Sequence, residues 1–220
     1  PSPDLFQRFF LEAAAAGDEV VGIFLSHELS GTCQCARLAA DMANVDNVLF
    51  VDSENVCLGE SLLVRLAVQL RDAGKTAGQI AATLEHAKEH LHLVAVIDDL
   101  KYLRRGGRIS AAAQVAGSLL KIKPILQSDP EGHIIQHSKV LGQLKAMETL
   151  AELYKEYAVD GTRTVGIAHA DCPDGALRLQ AKLRDAGQTG EILSVCYEPV
   201  TGGHVGPGTV ALFFFGEVWR

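Results

Sequence analysis

The sequence predicts an α/β protein built as two α/β domains, and three observations predict it. Continuous apolar runs of strand length, VVGIFL (20–25), NVLFVD (47–52) and LVAVID (93–98), alternate with amphipathic helical stretches. Strands apolar on both faces belong to sheets covered on both sides. Past residue 120 the pattern changes: KPILQS (123–128) and HIIQHSKV (133–140) flank the turn DPEG (129–132), which reads as a hairpin. The composition is ordinary for a globular chain, 48% hydrophobic and 21% charged over 220 residues, which excludes collagen-like, disordered and disulfide-scaffold classes.

The elements follow in order. DLFQRFFLEAAAA (4–16) reads as a helix capped by Asp4 and ended by Gly17. The strand 20–25 leads into a helix over 30–43 that starts at Ser30 or Thr32. The strand 47–52 is followed by a helix over about 56–73, stopped by Gly74. Thr76 opens a helix over 76–91, and a third strand covers 93–98. These make a Rossmann-like parallel sheet, and three strands are few for an open sheet. The chain begins at Pro1 without a Met, so an N-terminal piece of this domain is expected to be absent. DDLKYLRRGGRIS (98–110) reads as a short helix, a glycine break and a helix start, continuing into the small-residue helix SAAAQVAGSLLKI (110–122).

A domain boundary is placed at 120, giving a first domain over 1–120 and a second over 121–220. In the second, the hairpin precedes an amphipathic helix over 141–158, with apolar residues at 144, 147, 150, 151 and 154. A strand (164–170), a helix (173–187) and a strand (191–200) follow. The glycine loop GGHVGPG (202–208) then leads to a final strand, TVALFFF (209–215). Hairpin plus βαβ units imply a mixed sheet.

Several function classes drop out. The net charge is −7, the wrong sign for a general nucleic-acid binder. No run approaches the ~18 apolar residues of a membrane span, and no signal peptide is legible. Five cysteines, an odd and scattered set, read as free thiols of a cytoplasmic protein. His86 and His90 have i, i+4 spacing, but the segment HAKEH is not a zinc-binding HExxH, so no metal site is expected. G-x-S-x-G, a P-loop and a dinucleotide fingerprint are all missing.

Three segments carry candidate chemistry. In FLSHELSGT (24–32) an apolar strand ends and Ser30-Gly31-Thr32 opens a helix, where backbone N–H groups and hydroxyls attract a carboxylate or phosphate. Plain helix capping by Ser or Thr explains the same residues. In LRRGGRIS (103–110) three arginines surround two glycines; Arg108 is suited to a carboxylate, and a solvated basic turn is the alternative. In GGHVGPGTV (202–210), His204 is displayed among glycines and can donate to an anion, or the segment is a simple strand-to-strand turn.

Taken in order, these segments resemble the DegV family of fatty-acid-binding proteins. The resemblance is carried by PSP (1–3), LSGTCQCA (29–36), DDLKYLRRGGRIS (98–110), LLKIKPIL (119–126) with DPEG (129–132), and GGHVGPGTVAL (202–212). It implies two α/β domains with a long-chain fatty acid between them, its acyl chain in an apolar tunnel. The carboxylate would be bound around Ser30, Gly31 and Thr32 and by His204 with Gly203, with Arg108 assisting the head group or the domain contact. The implied activity is that of a carrier, not an enzyme: it presents the carboxylate to a fatty acid kinase, and ATP and metal belong to that partner. No cofactor other than the bound acid is implied. The family's threonine-bearing segment would precede Pro1, along with roughly the first quarter of its usual first domain. An arginine usual in the family after the hairpin is replaced by Leu141, with Lys139 or Lys145 as candidate substitutes. The alternatives are a dihydroxyacetone-kinase-like site, with His204 holding a small carbonyl substrate, and a small-anion sensor using the Ser30 helix start.

Overall fold

A computed structural model describes residues 1–109 and 121–218. The expected boundary at 120 and most of the expected helix 110–122 lie outside the described residues.

The N-terminal third packs α1 (Pro3–Ala16) and α2 (Thr32–Ala43) on a two-stranded parallel sheet of β1 (Val20–Phe24) and β2 (Val48–Asp52). α1 starts with Pro3 in its first turn, where a missing N–H costs nothing, and Gly17 in the left-handed region ends it. The residue before the helix is Ser2, with no side-chain cap, so Asp4 lies inside the first turn and is not the cap expected. Phe6, Phe10, Phe24 and Phe50 stack and abut with ring centroids about 6 Å apart and fill this small core with Ala36, Ala39 and Val48.

β2 runs on to α3 (Leu58–Asp72) and α4 (Ala77–Ala87). Thr76 and Gln79 close a reciprocal capping box at the start of α4. The next strand, β3 (Leu91–Val96), departs from expectation. It does not extend the parallel sheet of β1 and β2. It lies inside a six-stranded mixed sheet of order β5-β4-β3-β8-β6-β7, antiparallel to both its neighbours. The other members are β4 (Ile122–Ser128), β5 (Ile134–Leu141), β6 (Val165–His169), β7 (Ile192–Cys196) and β8 (Val210–Phe215). All six residues of β3 are buried. A run apolar on both faces reports that both faces are covered. It does not report strand direction, and the expected parallel pairing failed there.

Alternate residues of this sheet feed two cores. Leu93, Ala95, Ala211 and Phe213 face α3 and α4. Val94, Val96, Leu212 and Phe214 face α6 (Gln143–Tyr157) and α7 (Pro173–Asp185). Met147, Leu150, Ala151 and Tyr154 of α6 are buried as the amphipathic pattern requires, whereas Leu144 is exposed. The hairpin of β4 and β5 forms as expected, with a register shift at Ile125/Leu126. The described residues also include two short α-helices, α5 (Lys101–Gly106) after β3 and α8 (Pro199–Val205) before β8.

α8 is a correction. GGHVGPG was expected as a loop, yet its first four residues end a helix. Pro199 supplies the first helical residue with its φ already fixed. The Glu198 carboxylate accepts from the backbone N–H of Val200 (2.6 Å) and Thr201 (2.7 Å). These bonds satisfy the orphan donors of the first turn and outweigh the poor propensity of Gly202 and Gly203.

Candidate functional site

The α3-facing side of the large sheet is not filled everywhere. Ala95 and Ala211 stand directly opposite each other on β3 and β8, and two methyl groups leave a void. The next pair on that face, Leu93 and Phe213, closes one end with bulk. The resulting cavity is about 160 Å³. Its walls are apolar: Leu25 and Leu29 from the loop after β1, Val56 before α3, Leu126 and Ile134 from the hairpin, and Val205 from α8. Its polar groups are few: Ser30, Arg108, Tyr197, Thr201, His204 and Thr209. An apolar cavity with a handful of polar groups is the usual form of a small-molecule site.

Each polar group has a structural reason for its place. Ser30 precedes α2; its Oγ accepts from the Thr32 N–H (3.3 Å) and lies 2.8 Å from the Thr32 hydroxyl. Arg108 follows the glycine pair that ends α5. Its Nε donates to the Leu29 carbonyl (3.0 Å) and a terminal nitrogen donates to the Gly106 carbonyl (2.5 Å). The guanidinium therefore ties the end of α5 to the loop that carries Ser30. His204 occupies the last turn of α8 against Gly106, close enough that a Cβ there would lie 2.3 Å from its Nδ1. Gly106 is the residue that lets the ring in. The Thr209 hydroxyl donates to the Val205 carbonyl (3.0 Å) and ties β8 to α8.

The electrostatics suit a neutral wall with local donors. Burial pushes the Tyr197 phenol well above its usual range, so it stays protonated, and the nearby Cys57 adds to the shift. Burial likewise raises the Cys57 thiol to about 11, which makes it a poor nucleophile.

Of the residues expected from the sequence, Ser30, Arg108 and His204 line one cavity although 174 positions separate the first from the last. Thr32 reaches it through Ser30. Gly31 caps α2 and is exposed, and nothing lies within 4 Å of where its Cβ would be. Gly203 is exposed on α8 and does not line the cavity. Tyr197, Thr201 and Thr209 were not singled out from the sequence. Thr201 had a signal, Glu-Pro opening a helix that carries His204 in its last turn; Tyr197 and Thr209 read as ordinary strand residues. Leu141 is 69% exposed at the end of β5, and Lys145 pairs with Glu152 (3.1 Å) and Glu148 on its own helix. Among the described residues, no helix is long and apolar enough to cross a membrane.

Comparison with known proteins gives a consistent result. A family profile described as "Uncharacterised protein, DegV family" matches residues 1–217. A DegV domain-containing protein of Clostridium perfringens is 34% identical over 218 residues, covering 96% of this chain and 75% of the relative. Among solved structures, a protein described as a fatty acid binding DegV family protein, from Streptococcus agalactiae, superposes with a TM-score of 0.89 at 28% identity. The match covers 99% of this chain and 77% of that one. A DegV family protein of Ruminococcus gnavus, solved with vaccenic acid, gives 0.87 at 26% identity, covering 97% and 77%.

Proposed function

Because this chain belongs to the DegV family, we propose that its cavity holds a long-chain fatty acid and presents the carboxylate to a fatty acid kinase. The observation that carries the reading is the void at Ala95 and Ala211, apolar along its walls and edged by Ser30, Arg108 and His204. The acyl chain supplies the affinity, at roughly 0.8 kcal/mol per buried CH₂ before association costs. The polar groups supply orientation. Ser30 donates its hydroxyl to the carboxylate, His204 donates a ring N–H, and Arg108 holds the loop that bears Ser30 in place. Gly31 and Thr32 shape the helix start beside them. Nothing in this arrangement activates a nucleophile, so the acyl-phosphate chemistry, with its ATP and metal, is assigned to the partner. The apolar wall argues against a small-carbonyl site of the dihydroxyacetone-kinase type.

The test is to denature purified protein and identify released acids by mass spectrometry, then to repeat the measurement on Ser30→Ala and His204→Ala. A near-stoichiometric long-chain acid is expected from the native protein. Each variant should bind oleate roughly 10-fold to 100-fold more weakly, the loss of one hydrogen bond to a charged group. A native protein that neither carries nor binds a fatty acid refutes the reading.

A further inference from the structure

Six polar side chains line the cavity, and four of them are already hydrogen-bonded within the protein. Ser30 shares its hydroxyl with Thr32, and Arg108 donates two nitrogens to the carbonyls of Leu29 and Gly106. The Thr201 hydroxyl is held by Glu198, and the Thr209 hydroxyl by the Val205 carbonyl. The other two, the His204 ring and the Tyr197 phenol, make no hydrogen bond with any described residue. His204 already has a use, as a donor to the carboxylate. Tyr197 has none. It packs against the main core, as do its cavity neighbours Val56 and Val205. A polar group in apolar surroundings costs free energy unless something pairs with it.

Tyr197 and His204 stand on opposite sides of the void. The strands β3, β8, β6 and β7 lie side by side in that order. The backbone N–H of Tyr197 donates to the carbonyl of His169, the last residue of β6 (2.8 Å), so the phenol comes from the β6 and β7 side. His204 rests on Gly106 of α5, which follows β3, and Arg108 ties that helix end to the loop bearing Ser30. β3 and β6 flank β8, two strand spacings or ~10 Å apart. α8 spans the same gap. It starts just after Tyr197 and carries His204 in its last turn, ~9 Å along its axis from the cap at Glu198. The ionisable side chain that acts on the phenol is Cys57, at the start of α3. A carboxylate held by Ser30, Arg108 and His204 therefore lies away from the phenol, and the phenol meets the acyl chain.

The chemistry of the partner follows. A protonated phenol offers one donor and a lone pair. Against bare methylene it loses water and gains no bond, which costs binding energy. A carboxylate placed there would give up Arg108 and His204. A neutral oxygen on the chain itself pairs with the phenol while the rest of the chain stays on the apolar wall.

We propose that Tyr197 selects an oxygenated acyl chain: a fatty acid bearing a hydroxyl group along its length, with its carboxylate at Ser30 and His204 and its hydroxyl on the Tyr197 phenol. The inference rests on the fatty-acid reading and names the kind of acid.

The test compares stearic acid with a positional series of monohydroxystearic acids by isothermal titration, on native protein and on Tyr197→Phe. In native protein at least one isomer should bind ~10-fold more tightly than stearic acid, the worth of a hydrogen bond in place of an unpaired group. In Tyr197→Phe that isomer should lose about the same factor. Stearic acid should bind the variant several-fold more tightly, because no phenol is left unpaired against it. A variant that only loosens the cavity weakens both acids together and keeps their ratio, which overturns the role given to Tyr197. Native protein that binds stearic acid and prefers no isomer overturns the hydroxylated ligand and leaves the fatty-acid reading standing. Native protein that binds none of these acids overturns both.

Discussion

A methyl group at residue 106 would lie 2.3 Å from Nδ1 of His204, a separation no imidazole accepts. Gly106→Ala therefore moves the ring and not the backbone, because Gly106 is helical and alanine favours a helix. Fatty-acid affinity should fall about as far as in His204→Ala, roughly 10-fold or more, with the melting temperature unchanged or slightly raised. Isothermal titration with oleate beside a thermal melt separates the two effects; intact affinity would show that His204 does not contact the ligand. The same residue shows what is legible in sequence. Ser30 stood out as a hydroxyl at a helix start after an apolar strand, Arg108 as an arginine beside a glycine pair, and His204 as a histidine displayed among glycines. Tyr197 and Thr209 did not, because each also satisfies an ordinary strand position. Only the cavity left by Ala95 and Ala211 gives them a common neighbour, and that cavity comes from pairing β3 with β8.

The short helix α8 carries His204, and its first turn is held by a single carboxylate. Glu198 accepts from Val200, Thr201 and the Thr201 hydroxyl; that hydroxyl is the largest influence holding the carboxyl below its usual range. A seven-residue helix with two glycines has little to spare. Glu198→Ala should cost about 1 kcal/mol and weaken oleate binding several-fold through the displaced His204. Glu198→Gln, which keeps an acceptor, should retain most of both. Matched melts and titrations of the two variants check this; equal binding by Glu198→Ala would show that the helix start does not position the ring. The signals for this element were present as Glu-Pro ahead of the histidine, but the glycines that follow read as a loop. β3 was misplaced for the reverse reason. Its strand character was plain from five consecutive apolar residues, Leu93 to Ile97, while its partners are set by β4 and β8, 29 and 114 residues later at their closest register. Local pattern reports burial, and only long-range pairing reports direction.

At the scale of the molecule, the buried His92 and the half-buried Glu60 make stability depend on pH, and they act in opposite directions. His92 packs between the rings of Phe214 and Tyr157, its Nε2 donating to the Glu217 carbonyl (2.6 Å). Burial lowers it from the usual 6.5 to about 4. Between those values the unfolded chain takes up a proton that the folded chain refuses. Stability therefore falls as pH drops from about 6.5 towards 4, by up to about 3 kcal/mol. Glu60 does the opposite. Its folded form keeps a proton up to about 7 that the unfolded chain releases near 4.5, so stability falls as pH rises through that window. Partial exposure reduces this contribution to about 1–2 kcal/mol. The maximum should lie between about pH 5 and 7. Glu60→Gln, which imitates the protonated acid, should raise the melting temperature at about pH 8 and leave it unchanged at about pH 4. His92→Phe should flatten the acid limb, because phenylalanine asks for no proton in either state. Thermal melts of the three proteins across this range decide the assignment. Parallel pH curves for native protein and Glu60→Gln would mean that Glu60 ionises in the fold as it does in the open chain, and that its burial beside Asp52 is relieved before the chain unfolds.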